Sequence, residues 1–152
     1  MSTNPNSYDG DVIAWANEQA RLLRAGQFSK LDIEHIAEEI EDVGKSEQRE
    51  LENRMAILLA HLLKWQHQPE RRGNSWRNTI KEQRNRIANR IRKTPSLKAD
   101  LQEPEWWAGV WADGLDIAVK ETGLLYDDFP ELRSWSFEQI MDADFWPEEA
   151  SI

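Results

Sequence analysis

The most apolar part of the chain is the stretch LENRMAILLAHLLKW, residues 51–65. Apolar residues recur there every three or four positions, which is the spacing of one face of an α-helix. Most positions between them are also apolar, so a helix formed here would be covered on nearly every side. The sequence therefore predicts a central, buried helix at residues 46–67, with the other elements packed around it.

The same spacing predicts further helices on both sides of this segment. Local signals support their ends: Asp11 and Ser136 are N-caps, Gly26 and Gly123 are left-handed stops, and Pro104 opens a helix. We expect a break at Gly44. The predicted helices span residues 11–25, 31–43, 46–67, 75–93, 105–122 and 137–143. With no alternating strand pattern, residues 1–152 are predicted to form one all-α domain, a bundle of five to six helices with a loosely packed C-terminal tail.

Composition excludes several classes of function. The chain has 152 residues and no cysteine, which removes disulfides, zinc–thiolate sites and thiol nucleophiles, and is typical of a reducing compartment. No apolar run approaches the about 20 residues needed to cross a bilayer, and the N-terminus lacks a secretory pattern. We expect an acidic cytoplasmic protein without membrane contact.

Charge is divided unevenly along the chain. Residues 64–98 contain eleven Lys or Arg against two acidic residues, whereas the remainder contains eight against twenty-six. Arg84 and Arg90 lie at opposite edges of the apolar stripe of the basic helix. We therefore expect the basic helix to be clamped, through Arg84 or Arg90, against carboxylates such as Glu39, in the same chain or in a dimer partner. The alternative is a nucleic-acid-binding protein that uses residues 71–93. Its exposed contact residues would be Arg77, Lys81, Arg84 and Arg92.

An acidic run at residues 34–42 supplies a second alternative, a metal-dependent phosphohydrolase. Its candidate polar site consists of Glu38, Glu39, Asp42 and His61. Carboxylates one helical turn apart can hold magnesium with a substrate phosphate, but no second pair occurs at the spacing that such enzymes use. Most of the acidic side chains fall opposite the apolar stripe, and only Asp32 and Glu39 border it. His61 is interpreted as a hydrogen-bonded core histidine. We assign no catalytic residue, no metal ligand and no cofactor.

Eight tryptophans make the chain rich in this residue. Five fall on apolar stripes and are predicted to lie in the core because each brings a large apolar area; they are Trp15, Trp65, Trp76, Trp107 and Trp111. The other three are predicted to be freer and to contact a partner or seal the bundle end; they are Trp106, Trp135 and Trp146.

Several short motifs, in this order, resemble a known family. They are Tyr8-Asp9-Gly10-Asp11 with Trp15, Glu38-Glu39-Ile40-Glu41-Asp42-Val43-Gly44, His61-Leu62-Leu63-Lys64-Trp65 with Gln68-Pro69, Ser75-Trp76, and Asp144-Phe145-Trp146-Pro147. Together they resemble the bacterial domain of unknown function family 29 over nearly the whole chain. The resemblance implies an almost entirely helical bacterial protein, and it implies no activity and no catalytic residue.

These observations favour a small non-enzymatic interaction module with an acidic surface and one clamped basic helix. Its partner is not identified by the sequence; a protein or a second copy of the chain is favoured over nucleic acid. The two alternatives differ in which residues must meet. An exposed, contiguous face formed by Arg77, Lys81, Arg84 and Arg92 would indicate the nucleic-acid binder. A cleft in which Glu38, Glu39 or Asp42 meets His61 would indicate the enzyme.

Overall fold

The structure is a computed structural model that describes residues 5–149. Within this range the α-helices are α1 (Val12–Arg24), α2 (Ile33–His67), α3 (Asn74–Lys93), α4 (Pro104–Thr122) and α5 (Phe137–Met141). Short 3₁₀ segments occur at Phe28–Lys30, Pro69–Arg71, Pro95–Gln102 and Tyr126–Asp128. The described residues include no β-strand, so the predicted all-α class is confirmed. In the same part of the chain, no helix combines the length and the apolar character needed to cross a bilayer.

The helix ends follow the local signals in the sequence. The Asp11 carboxylate accepts hydrogen bonds from the backbone N–H groups of Ile13 and Ala14, both at 3.1 Å. Gly26 and Gly123 adopt φ angles of 70° and 75°, which side-chain-bearing residues rarely adopt. Ser136 caps α5 together with Gln139. These predicted ends are confirmed.

The predicted break at Gly44 is wrong. Helix α2 runs without interruption through this glycine for 35 residues. A glycine inside a helix costs about 1 kcal/mol relative to alanine, which is too little to stop a helix that is propagating on both sides. A Cβ atom at Gly44 would meet no other atom within 4 Å, so no close contact requires glycine there. Two of the predicted helices are therefore one.

The chain divides into two compact units between Glu47 and Gln48. The core of the second unit is centred on the C-terminal half of α2, where Leu58, Leu59, Leu62 and Leu63 are fully buried. Gly114 of α4 lies against this helix, because a Cβ atom there would lie 3.1 Å from the Cβ of Leu59. The prediction that the segment 46–67 is central and buried is confirmed, but its helix begins at Ile33 rather than at Ser46.

The C-terminal segment packs more closely than we expected from the sequence. Phe129, Trp135 and Ile140 are buried in the core of the second unit. The prediction that Trp135 is free is wrong, since its ring lies 5.6 Å from that of Trp111. The tryptophans predicted to lie in the core are buried, except Trp76, which is half-buried.

The first unit has little core of its own. Among its described residues, the only buried apolar side chains are Trp15 and Leu22. Most of the apolar stripe predicted on the first half of α2 is instead exposed. Ile33, Ile40 and Val43 have exposed fractions of 67%, 68% and 67%, whereas Ile36 is half-buried. Periodicity correctly groups these residues on one helix face, but none of the described residues of this unit covers that face.

Candidate functional site

A groove lies along one side of α3, in the second unit. Arg77, Lys81 and Arg84 follow one another at spacings of four and three residues, which places them on the same side of the helix. The C-terminal segment contributes Ala143 and Trp146 to the same groove, which encloses about 450 Å³. The lining is completed by two amide side chains, Asn78 and Asn85. We call this site the α3 groove.

Arg84 forms the inner part of the groove and is only 5% exposed. Its Nε and Nη2 atoms donate hydrogen bonds to the backbone carbonyls of Ile140 and Phe145, both at 2.7 Å. Among the described residues, no carboxylate forms an ion pair with Arg84. Burial lowers the pKa of Arg84, and the charge of Asp142 opposes this effect. The guanidinium is therefore a buried cation that is hydrogen-bonded without a counterion.

Aromatic rings contact the arginine side chains of the groove. The guanidinium carbons of Arg72 and Arg77 lie 5.1 and 5.2 Å from the ring centre of Trp65. The ring of Trp146 lies 4.6 Å from that of Trp65, and the Arg84 guanidinium lies 5.5 Å from the Trp146 ring. Cations over tryptophan faces are attracted by the ring quadrupole. This arrangement fixes the positions of Arg77 and Arg84.

The clamp predicted at Arg84 or Arg90 involves a carboxylate at Arg90 and backbone carbonyls at Arg84. Arg90 lies 3.6 Å from the carboxylate of Glu50 in the same unit, as expected for an internal ion pair. Arg84 is held by its own chain, but by backbone carbonyls rather than by a carboxylate. Glu39 belongs to the first unit, where it accepts a hydrogen bond of 2.6 Å from the hydroxyl of Tyr8.

The structure brings together three of the four residues predicted for a basic contact surface. Arg77, Lys81 and Arg84 line the groove, whereas Arg92 lies outside it, and its Nη2 donates to the side chain of Asn89 at 2.9 Å. Arg77, Lys81 and Arg92 are exposed and Arg84 is buried, so these four residues do not form the contiguous exposed face that would favour the nucleic-acid binder. The amide side chains of Asn78 and Asn85 also line the groove and are not among the predicted contact residues, although their positions beside Arg77 and Arg84 could have indicated them.

The residues of the proposed acidic site have separate roles. Glu38 and Asp42 are exposed in the first unit, and Glu39 binds Tyr8. His61 belongs to the second unit, where its Nδ1 lies 2.8 Å from the carbonyl oxygen of Ile57. Among the described residues, no group of three or more His, Asp or Glu side chains is placed to hold a metal ion. Glu38, Glu39 and Asp42 thus belong to one unit and His61 to the other.

The sequence model of the domain of unknown function DUF29 matches residues 7–146. The chain belongs to the DUF29 family. This match confirms the resemblance seen in the sequence motifs. No curated protein and no solved structure matches the chain. All residues that line the α3 groove of this DUF29 chain lie within the matched range.

The first unit of the DUF29 chain contains a separate polar cluster around Tyr8. The Tyr8 ring stacks on His35 with 4.1 Å between ring centres, and its hydrogen bond to Glu39 raises the pKa of Tyr8 to about 12. Asp32 accepts hydrogen bonds from the indole of Trp15 at 2.9 Å and from His35 at 2.7 Å. Asp32 and Glu39, predicted to border the core, are both half-buried. We call these five residues the Tyr8 cluster; they join the N-terminal segment, α1 and α2.

We expect the three histidines to titrate on opposite sides of the ordinary histidine pKa of about 6.5. The hydrogen bond to Asp32 raises the pKa of His35, whereas burial lowers the pKa of His61 and of His67. The stabilisation from protonated His35 is complete below the unfolded pKa and is lost as pH rises through the folded pKa. Burial of His61 and His67 has the opposite effect, because the unfolded state binds their protons more readily.

Nuclear magnetic resonance titration of the imidazole protons measures all three midpoints in one experiment. Asp32→Asn should bring the midpoint of His35 down and leave those of His61 and His67 in place. A His35 midpoint below the other two in the parent protein would contradict the geometry of the Tyr8 cluster.

Proposed function

We propose that this DUF29 chain is a non-enzymatic interaction module that binds an acidic segment of a protein partner in the α3 groove. The observation that carries the proposal is the buried Arg84 guanidinium, which forms no ion pair within residues 5–149 and lies next to Arg77 and Lys81 in one groove. Buried charges are normally paired, because an unpaired charge away from water is costly. A carboxylate bound in the groove would supply the missing negative charge.

The lining of the groove suits a peptide. Arginine presents a planar set of donors that can engage a carboxylate through two parallel hydrogen bonds. Asn78 and Asn85 each offer both a donor and an acceptor, which match the N–H and C=O groups of an extended or helical backbone. Trp146 adds an aromatic surface for an apolar side chain.

The overall charge favours a short acidic segment over nucleic acid. The whole chain carries a net charge of −9, so a long polyanion that extends beyond the groove would meet negative surface. A short segment interacts with the groove alone, since charges farther away than about 8 Å are screened at physiological salt. A reducing compartment such as the cytoplasm suits this cysteine-free chain, and we include that location in the proposal.

Fluorescence anisotropy with a labelled Glu-rich, Ile-containing helical peptide tests this function, with labelled DNA and RNA as competitors. We expect the parent protein to bind the peptide and Lys81→Glu to weaken binding by about tenfold or more, the factor given by about 1.4 kcal/mol. Lys120→Glu is the matched control, because Lys120 is exposed in the same unit and lies outside the groove. Absence of peptide binding, or preferential binding of nucleic acid at physiological salt, would refute the proposal.

A further inference from the structure

We propose that the acidic segment bound in the α3 groove is the first unit of a second copy of this chain. The inference rests on the proposed function and names the partner. It predicts that the protein self-associates through two different surfaces, the groove of one copy and the first half of α2 from the other.

The first observation is that the first unit is incomplete. Its described residues bury Trp15 and Leu22 as their only apolar side chains, while Ile13 and Phe28 are 72% and 63% exposed. A unit of this size with so little apolar burial gains too little from the hydrophobic effect to be stable by itself. Clusters of exposed apolar side chains mark surfaces that bind a partner.

The second observation is the pattern on the first half of α2. Ile33, Ile40 and Val43 are exposed and lie on one side of the helix, since seven or three residues separate them. Glu34 and Glu41 directly follow two of these residues, and both are exposed. This segment is therefore an acidic amphipathic helix with a free apolar face, which is a common form of helical ligand for a groove.

The third observation is that the first unit and helix α3 carry opposite net charges. Residues 5–47 contain ten Asp or Glu and four Lys or Arg, a net charge of −6. Helix α3 contains seven Lys or Arg and one Glu, a net charge of +6. Pairing two first units would bring two −6 surfaces together, whereas pairing a first unit with α3 of another copy joins opposite charges. Charge complementarity thus selects the second arrangement.

The chemistry of the groove suits this ligand. The aliphatic stems of Arg77 and Lys81 and the ring of Trp146 offer apolar surface to side chains such as Ile40. The charged ends of Arg77 and Lys81 can reach carboxylates beside the stripe, such as that of Glu41. Because each copy carries one groove and one first unit, two reciprocal contacts close a dimer, and non-reciprocal contacts extend a chain of copies.

Sedimentation velocity on the full chain tests the inference, at low salt and in about 1 M sodium chloride, where the screening length falls to about 3 Å. We expect the parent protein to associate at low salt and to dissociate at high salt. Ile40→Gln alters only the first-unit surface and Lys81→Glu only the groove, and both side chains are exposed. Each variant alone should show an association constant reduced by about tenfold or more. Circular dichroism verifies that each variant stays folded, and Lys120→Glu should associate like the parent.

Mixing the two defective variants gives the decisive result. Ile40→Gln retains an intact groove and Lys81→Glu retains an intact first unit, so an equimolar mixture should regain one complete contact and associate. A parent protein that is monomeric at every concentration overturns the inference, and if it still binds the acidic peptide the proposed function stands. Association that is lost in Ile40→Gln, unaffected by Lys81→Glu and not restored by mixing also overturns it, because first units then bind one another. Failure of peptide binding together with association that is independent of Lys81 refutes both proposals.

Discussion

Replacing Trp65 by alanine is expected to lower the free energy of unfolding by about 3–5 kcal/mol, the range measured when large aromatic residues are removed from protein cores. Trp65 is 6% exposed, and its ring contacts Trp146 and the guanidinium groups of Arg72 and Arg77. Its loss would leave a cavity between α2, α3 and the C-terminal segment. Denaturation by urea, followed by circular dichroism, measures the change.

Trp65→Phe is the matched control for this experiment. A phenyl ring retains an aromatic face for both guanidinium groups and fills part of the volume, so we expect less than half of the loss seen with alanine. If Trp65→Ala lowers the free energy of unfolding no more than Trp65→Phe does, the Trp65 ring does not stabilise the groove as its contacts indicate. Peptide binding should also be weakened less by Trp65→Phe than by Trp65→Ala, since Arg77 depends on the Trp65 ring for its position.

The helix ends could be predicted because their causes are local. Asp11, Ser136 and Gly123 act on backbone groups within a few residues, so their signals are contained in short segments. The predicted break at Gly44 is wrong because the low helix propensity of glycine is a local preference of about 1 kcal/mol, whereas helix formation is cooperative over many residues. A residue that favours a break therefore does not produce one inside a long helix.

The candidate site could be predicted only on its α3 side. Helical spacing placed Arg77, Lys81 and Arg84 on one side of the helix, and the structure agrees. The partners of Arg84 come from residues 140 and 145, and no local pattern connects those residues to α3. The uneven charge distribution pointed to carboxylates as partners, but backbone carbonyls satisfy the same donors and carry no sequence signature.

The exposed stripe of the first unit shows a second limit of periodicity. The spacing of Ile33, Ile40 and Val43 predicts that they share one face, but it does not say what covers that face. An apolar stripe that packs inside its own chain has the same period as one that binds another molecule. Only the exposed fractions of these side chains distinguish the two cases.

The second large effect is expected from Arg84→Ala, at ~3 kcal/mol of unfolding free energy. The substitution removes two hydrogen bonds of 2.7 Å and leaves the carbonyls of Ile140 and Phe145 without these donors. It also removes the cation above the Trp146 ring. Because these contacts hold the C-terminal segment against α3, the segment should detach before the rest of the unit unfolds. Hydrogen exchange at residues 137–146 measures that local opening.

Arg86→Ala and Arg84→Lys separate the causes of this effect. Arg86 pairs with Glu82 at 2.7 Å, but both side chains are about half exposed, so its loss should cost less than about 1 kcal/mol. Lysine at position 84 keeps the charge but lacks the planar fork that reaches two carbonyls at once, so it should restore only part of the stability. If Arg84→Ala and Arg86→Ala lower the free energy of unfolding equally, the burial of Arg84 adds nothing to its contribution to stability. Full rescue by lysine would show that its charge, rather than its two directed hydrogen bonds, holds the C-terminal segment in place.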